Sequence, residues 1–481
     1  MKKNVIFNSI YQLVYIATQL FIISYTSKVL GANGIGEYTL AYTYANYAIL
    51  FGSLGFDKYA SREIAHNQDD EDKIYIIVRD IFSLRVGTFL IVLLLYVFLF
   101  IFCGIDQSNS IKINIILILS FAVDISWFYT GLGKIDKIVV RNTLVRIATV
   151  FLLVLLVRDS EDVDEYTFTM CMSAIIGQIM LWSGVPIRKI FSVRNNEKKK
   201  IGRLKKHYHG ALTLFIPTLA IQIYVMLDKI ILGNVCGSYE LGLYETSCKL
   251  VDITRVIQAA VTATTPAMTF LWARGKKDEY KKNIYNTFKY VSLCVFPLMM
   301  GLIAITPKLV PWFLGEDFLV IIPMMTVSAL FILTKSWSSV MGDQVLMSSY
   351  NQKYYTIGVS VGAILDIVLN ILLVKKYKSM GVLCASVLAE YVGMFIMLYA
   401  VIRKLDLQFK LLFEGVTKYA IISAFMGIVV FQFGRYLPNT FGGNAAQILM
   451  GGCIYCLALI ITKDKAVRSI FKELPFIKKK K

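Results

Sequence analysis

The sequence predicts an all-α polytopic membrane protein, and three observations lead to this fold class. The 481 residues are 57% apolar and 17% charged, whereas soluble domains are about 45–50% apolar and about 25% charged. The mean hydropathy is +0.61, and the apolar residues form fourteen segments of membrane-spanning length. The links between these segments alternate in Lys and Arg content. A soluble core could not bury this much apolar surface, but lipid can.

The fourteen segments are predicted to be transmembrane helices. Each is close to the ~20 residues that a helix needs to cross ~30 Å of hydrocarbon, whereas a barrel strand would have ~10 residues of alternating polarity. No small-residue cleavage site follows the first segment, so we expect a helix there and not a signal peptide. The predicted spans are residues 4–27, 37–56, 83–103, 111–130, 139–157, 167–185, 211–233, 244–271, 287–306, 318–341, 354–374, 380–402, 414–434 and 445–462.

The placement of the basic residues predicts how the chain is oriented. The link 188–208 carries nine Lys or Arg residues against one acid, whereas the link 158–166 has one Arg against five acids. This is the positive-inside pattern, and it predicts that both termini lie in the cytoplasm. The segment 375–378 departs from it, with three lysines on the predicted outer side. The net charge of +19 therefore indicates topology and not binding of nucleic acid.

The spans fall into two halves that begin alike. Residues 28–38 contain Lys-Val-Leu-Gly followed by Gly-Glu-Tyr, and residues 229–244 contain Lys-Ile-Ile-Leu-Gly followed by Gly-Leu-Tyr. Two six-helix halves of equal orientation are typical of a parallel repeat, although a chance likeness of short motifs is the alternative. We predict two pseudo-symmetric six-helix lobes, at 1–209 and 210–405. Two C-terminal helices and a basic tail follow at 406–481.

Ionisable side chains inside the predicted spans indicate a polar interior. Such a group costs about 2.5–3.5 kcal/mol or more at the centre of a bilayer unless it faces a cavity or reaches the interface. The eighth span carries Glu245, Lys249, Asp252 and Arg255, whose spacings of 4, 3 and 3 place them on one helical face. That face is expected to line a wet cavity or to contact a partner helix. Other ionisable residues in or next to the predicted spans are Asp124, Arg146, Asp228, Lys335, Asp343, Asp366 and Glu390. The polar residue Asn370 follows Asp366 at i+4.

Each of these residues also has a plain structural explanation. Asp366 and Asn370, at i and i+4, could hydrogen-bond neighbouring helices, and Asp124 could belong to an internal ion pair. Asp57 and Arg62 lie near a helix end, where long or polar side chains reach the interface.

The types of these side chains suit transport of an anion. Arg and Lys hold phosphate oxygens, and carboxylates can bind a coupling Na⁺ or take up a proton. The sequence has no P-loop, Rossmann glycine set or hydrolase nucleophile motif, so we do not expect an enzyme. Cys453 and Cys456 lie in an apolar span with no further ligands nearby in the sequence, so we predict neither a metal site nor a resident cofactor.

Several of these passages, taken together, resemble a known family. The chain resembles the Wzx-type O-antigen and capsule repeat-unit flippases of bacteria. They belong to the multidrug/oligosaccharidyl-lipid/polysaccharide exporter superfamily. The resembling passages span nearly the whole chain and are residues 28–38, 52–65, 124–131, 228–233, 342–353 and 366–381.

The resemblance implies a substrate, a mechanism and site residues. The substrate would be an oligosaccharide on undecaprenyl pyrophosphate, moved by alternating access that is coupled to Na⁺ or H⁺. Its implied partners are membrane lipid, a glycan polymerase and chain-length proteins. The residues implied for substrate binding are Lys28, Arg62, Asp124, Arg146, Lys249, Asp252 and Arg255. Those implied for cation coupling are Asp228, Asp366 and Asn370.

Two other classes of protein remain as alternatives. The first is a multidrug or metabolite antiporter of the same superfamily, although such antiporters usually have twelve spans. The second is a membrane enzyme of glycan assembly, a polymerase or ligase, which would be expected to carry a large outer loop. Every predicted outer link in this chain is short.

Overall fold

The computed structural model describes residues 2–104, 108–193 and 200–464. Throughout these ranges the ordered elements are helices, without strands, so the all-α class is confirmed. Nine of the described helices are long and apolar enough to cross a membrane. The count of fourteen spans stays a prediction, and nearly all of the predicted basic tail lies outside the described residues.

The chain divides into two compact units, residues 1–242 and 243–481. The predicted repeat boundary at residue 209 differs from this division, and the repeat itself stays a prediction. The first unit contains nine complete helices within its described residues. They are α1 (Lys2–Ser53), α2 (Phe56–His66), α3 (Glu71–Val97), α4 (Asn109–Ala122), α5 (Ser126–Gly131), α6 (Ile135–Leu156), α7 (Val163–Trp182), α8 (Ile187–Ser192) and α9 (Lys200–Cys236).

The helices that follow belong to the second unit, except that the first of them begins at the end of the first unit. They are α10 (Ser238–Lys249), α11 (Thr254–Ala263), α12 (Thr265–Ala273), α13 (Lys277–Phe313), α14 (Ile322–Ser328), α15 (Phe331–Ser339), α16 (Gln352–Leu405), α17 (Phe409–Leu412), α18 (Val416–Gly434) and α19 (Phe441–Ile461).

Local sequence explains several helix boundaries. Helix α1 covers the first two predicted spans and breaks at Gly31, whose φ of 64° is readily adopted by glycine. The N-terminus of α3 is capped by Asp70, whose carboxylate accepts the backbone N–H of Lys73 at 3.1 Å. That hydrogen bond is the main reason why the pKa of Asp70 is lowered.

A close backbone approach joins α1 to the start of α10 inside the first unit. A Cβ added at Gly36 would lie 1.7 Å from the carbonyl oxygen of Ser238. A Cβ added at Gly242 would lie 1.8 Å from the carbonyl oxygen of Ala32. No larger residue fits at either position without movement of the backbone, because such distances are far below van der Waals contact.

The second unit contains interrupted and kinked helices. The predicted eighth span is not one continuous helix, because a 3₁₀ segment over Leu250–Ile253 separates α10 from α11. Helix α15 continues into a π-helical segment, Val340–Leu346. Helix α16 covers two predicted spans and kinks at Lys378, and its two halves pack closely where Gly393 meets the carbonyl oxygen of Gly358. Interruptions of this kind in membrane helices are tolerated where neighbours satisfy the backbone.

Candidate functional site

The first unit contains a fully buried arginine that the sequence patterns did not reveal. Arg85 of α3 is 0% exposed. Its Nε and Nη2 atoms donate to the carbonyl oxygen of Phe121, at 3.1 and 2.7 Å. Its guanidinium also lies over the ring of Phe89, 5.3 Å from the centroid. A buried guanidinium must be hydrogen-bonded and paired, and Arg85 meets both conditions.

Two carboxylates complete this cluster. Asp57, at the start of α2, makes a direct ion pair with Nη1 of Arg85. Asp124, between α4 and α5, has Oδ2 3.9 Å from Nη2 of Arg85. The carboxylate of Asp124 also accepts the backbone N–H and the hydroxyl of Ser126, at 2.9 and 2.8 Å. Asp124 therefore has the internal ion pair that was its structural alternative, and its role in substrate binding stays a prediction.

Arg146 of α6 is fixed by three residues of α1. Its Nε donates to the hydroxyl of Thr18 at 2.7 Å, and Nη2 hydrogen-bonds the side-chain oxygen of Gln19. The guanidinium stacks over the ring of Tyr15, 4.0 Å from its centroid. The contacts join α6 to α1 and hold the cation in one orientation, which is what a site for an anion requires.

The other predicted residues of the first unit differ in their surroundings. Lys28 on α1 and Arg62 on α2 are exposed. Asp228 on α9 is buried and lies within electrostatic range of Tyr47 on α1. The two exposed cations are thus accessible to a ligand, whereas Asp228 lies in the interior of the unit.

In the second unit, the cationic stripe (Lys249, Asp252 and Arg255 of the predicted eighth span) begins at the end of α10. Lys249 is half-buried there, immediately before the 3₁₀ segment. Arg255 pairs with Asp252, with 3.1 Å between Nη2 and Oδ2, and the Arg255 side chain is 65% exposed. A 3₁₀ turn has three residues, so it keeps these three side chains on one face. The local geometry agrees with the predicted stripe, although the helix around it is interrupted.

The predicted cation-coupling pair of the second unit is fully buried. Asp366 and Asn370 are each 0% exposed on α16. Their i, i+4 spacing places a carboxylate and an amide oxygen side by side. Oxygen ligands of this type suit a hard cation such as Na⁺, and a buried carboxylate suits a proton. The two residues therefore suit either a Na⁺ ion or a proton, and their role in cation coupling stays a prediction.

The structure thus distributes the predicted substrate residues over both units and brings only some of them together. The pair Asp252 and Arg255 is in contact, and Asp124 contacts Arg85, which was not among the predicted residues. The first unit holds Lys28, Arg62, Asp124 and Arg146, and the second holds Lys249, Asp252 and Arg255.

A second polar group missed from the sequence lies at the π-helical segment. Gln344 is 1% exposed, and its Nε2 donates to the hydroxyls of Thr264 and Thr287, at 2.7 and 3.1 Å. Asp343 accepts the hydroxyl of Ser339 at 3.0 Å. The described residues contain no group of three or more His, Cys, Asp or Glu side chains that could hold a metal ion.

A signal for Arg85 exists in the sequence, but it is weak. Arg85 stands only two residues inside the predicted third span, where a basic residue is common at a membrane interface. In the structure α3 begins at Glu71, twelve residues before that predicted start, so Arg85 lies well inside the helix. Only the packing of α2 and the α4–α5 turn shows that it is buried.

Comparison with known proteins gives one family and one fold. The profile of a family described as polysaccharide biosynthesis protein matches residues 1–272. A protein of Shigella dysenteriae, described provisionally as an O-antigen transporter, is 23% identical over an alignment of 422 residues. The match covers 83% of this chain and 100% of that protein.

Two solved structures share the fold. The lipid II flippase MurJ, in an inward closed conformation, superposes with a TM-score of 0.73 at 16% identity, covering 96% of this chain and 99% of that one. An inward-facing multidrug resistance transporter of the MATE family, of the MOP superfamily, gives a TM-score of 0.60 at 11% identity, covering 81% and 94%. At these identities the likeness shows the fold alone.

Proposed function

The chain belongs to the polysaccharide biosynthesis protein family, and on that premise we propose that it is a flippase for lipid-linked oligosaccharides. Its substrate is an oligosaccharide repeat unit on undecaprenyl pyrophosphate, carried across the bacterial cytoplasmic membrane for surface polysaccharide synthesis. The observation that carries the proposal is the match to that family over residues 1–272, and the fold shared with a lipid II flippase along 96% of this chain is consistent with it. The relative described as an O-antigen transporter supports the class of substrate.

Cations within each unit are proposed to contact the charged part of the substrate. Lys249 and Arg255 offer an ammonium and a guanidinium group at positions six residues apart on the predicted face, and Arg255 is largely exposed. Arg146 presents a guanidinium in a fixed orientation. Guanidinium groups bind pyrophosphate oxygens in a bidentate manner, whereas the lipid tail needs only the bilayer. The head group is therefore the part that the protein must recognise and shield.

Alternating access is the proposed mechanism, and the glycine contact supports it. Gly36 approaches Ser238, and Gly242 approaches Ala32 in the same way. Reciprocal contacts of this kind are typical of segments related by a two-fold axis. They join the later parts of the two similar sequence motifs, as is expected for a parallel repeat.

Coupling to Na⁺ or H⁺ is proposed to depend on three polar residues. Asp366 and Asn370 offer two buried oxygen ligands on one helical face. Asp228 offers a further buried carboxylate. If Na⁺ drives transport, Asp228→Asn is expected to remove the dependence of the flipping rate on a sodium gradient. Unchanged flipping without sodium, together with unchanged flipping in this variant, would contradict the sodium site.

The proposed setting follows from the charge pattern of the links. Both termini are placed in the cytoplasm, where the basic link and tail would lie beside anionic lipid. Glycan polymerase and chain-length proteins are proposed as partners, because they would receive the translocated unit.

A multidrug or metabolite antiporter is the second candidate, because the MATE family transporter shares the fold with a TM-score of 0.60. The two functions differ in their substrates. An antiporter would raise the resistance of a sensitive strain to cationic drugs and would leave surface glycan unchanged.

The proposal is tested by complementation. The chain is expressed in a bacterium that lacks its own repeat-unit flippase but has the matching glycan genes, and surface polymer is stained. We expect surface glycan with the natural chain. Arg255→Ala and Lys249→Ala are expected to abolish it at unchanged expression, because the pyrophosphate loses a counter-charge.

Lys276→Ala is the matched control. Lys276 also pairs with an acid three residues along, Glu279 at 3.1 Å, but it lies between α12 and α13 in a predicted cytoplasmic link. Glycan display should be retained in this variant. Full display of surface glycan in both Arg255→Ala and Lys249→Ala would contradict the proposal that these residues bind the substrate.

A further inference from the structure

The first unit also has a cluster of two arginines around one aspartate, which is separate from the residues assigned to transport. Asp80 of α3 is buried, with 2% exposure, and two arginines approach its carboxylate. Nε of Arg203 on α9 lies 2.9 Å from Oδ2, and Nε of Arg79 lies 4.0 Å from Oδ1. Two guanidinium groups thus surround one carboxylate, which leaves an excess of one positive charge.

Neighbouring contacts fix the position of both arginines. Nη1 of Arg79 donates to the carbonyl oxygen of Val193, just after α8, at 3.2 Å. One turn beyond Arg203, the Nδ1 atom of His207 lies 3.0 Å from the hydroxyl of Tyr59 on α2. The start of α9 is therefore held against α2 and α3, and the side chains of Arg79 and Arg203 remain 18% and 27% exposed.

Each arginine retains a buried donor. The Nη2 atoms of Arg79 and Arg203 are inaccessible to solvent and make no hydrogen bond to the part of the chain that the structure describes. Buried donors without partners are destabilising, above all in charged groups, so native proteins rarely leave them unsatisfied. The excess charge and the unsatisfied donors both favour an anionic acceptor.

Other charges nearby do not remove this requirement. Glu63 and Lys206 lie within electrostatic range of His207, and their charges are opposite. Burial lowers the pKa of His207, which keeps its ring neutral at ordinary pH. The local charge therefore remains that of two arginines and one aspartate.

We propose that Arg79 and Arg203 bind a phosphate group at the inner surface of the membrane. Phosphate oxygens match the planar donors of two guanidinium groups. Arg79 lies four residues before the predicted third span, and Arg203 lies in the basic link, eight residues before the predicted seventh span. These positions predict the level of lipid head groups, so the phosphate is that of an anionic phospholipid or a free phosphate ion.

Binding is measured on the purified full-length protein in detergent. A tail-labelled phosphatidylglycerol is titrated, with phosphatidylcholine and inorganic phosphate as competitors. We expect Arg79→Gln and Arg203→Gln each to weaken phosphatidylglycerol binding by about tenfold, as for loss of one charge-assisted hydrogen bond. Competition by inorganic phosphate at similar concentrations would assign the site to the free ion, and its absence would assign the site to the lipid.

Two controls keep the result interpretable. Lys205→Gln removes the same charge from an exposed position of the same helix, and it should leave binding within about twofold of the natural value. Arg79→Gln is less expected than Arg203→Gln to unfold the protein, because Arg79 lies farther than Arg203 from Asp80. Unchanged phosphatidylglycerol binding in folded Arg79→Gln, or an equal loss in Lys205→Gln, would overturn the site. None of these outcomes depends on flipping.

Discussion

At the scale of single residues, Arg85 shows how a charge is kept inside a membrane protein. The guanidinium donates to a carbonyl oxygen of α4, lies over an aromatic ring of α3 and pairs with two carboxylates, one from α2 and one from the turn after α4. A buried ion pair adds little net stability by itself, because desolvation offsets the attraction between the charges. Removing Arg85 is costly, since Asp124, whose side chain is 10% exposed, and the half-exposed Asp57 both lose their counter-charge.

Replacement of Arg85 is therefore expected to be severe. Arg85→Met should lower the free energy of unfolding by about 3–5 kcal/mol, because Asp57 and Asp124 lose their counter-charge. The measurement is denaturation of the purified variants in detergent. Arg62→Met, at an exposed position of α2, should change the free energy by no more than about 0.5 kcal/mol.

A second variant separates lost packing from lost charge. Asp57→Asn added to Arg85→Met should recover part of the stability, because one uncompensated carboxylate is then removed. Additive losses in the double variant would show that the ion pair is not the cause.

Sequence patterns predicted some residues of this kind and not others. Asp124 was evident because an acid stands out within an apolar segment. Arg85 and Arg79 were not, because basic residues near a span end are common and their burial depends on the packing of other helices. The hydropathy of a segment can be calculated from that segment alone, whereas the partner of a buried side chain depends on how several helices pack.

At the scale of elements, glycine decides where helices break and how closely they approach. Gly31 divides α1 without ending it, and Gly36 allows α1 to approach the backbone of Ser238. The sequence predicted spans here from hydropathy alone. It did not predict that α1 would continue across two of them, or that the eighth span would contain a 3₁₀ segment, because a short break in the hydrogen bonding leaves the hydropathy pattern unchanged.

Substitution of Gly36 tests the close approach. Gly36→Ala should lower the free energy of unfolding by about 1–3 kcal/mol, because its methyl group would overlap the carbonyl oxygen of Ser238. Gly87→Ala is the matched control, since nothing lies within 4 Å of the added Cβ on α3. It should be neutral or stabilising by up to about 1 kcal/mol. Equal effects of the two changes would contradict the contact.

At the scale of the whole molecule, composition alone predicted the class of fold. Apolar content, segment length and absence of period-two strands are global properties, and the all-α fold with its nine long apolar helices in the described residues agrees with them. The site was less predictable. Lys249, Asp252 and Arg255 were proposed from helical spacing, which local geometry preserves, but spacing within one helix cannot show which residues of other helices meet them.

The central claim is that this chain moves a lipid-linked oligosaccharide between leaflets. The most direct measurement uses the purified protein in liposomes that contain undecaprenyl-pyrophosphate oligosaccharide with a fluorescent sugar, quenched from outside by dithionite. The account predicts that the label in the inner leaflet also becomes quenched, in natural protein and in Lys276→Ala but not in Arg255→Ala. Persistent protection of the inner leaflet by correctly inserted natural protein, under both sodium and proton gradients, would contradict it.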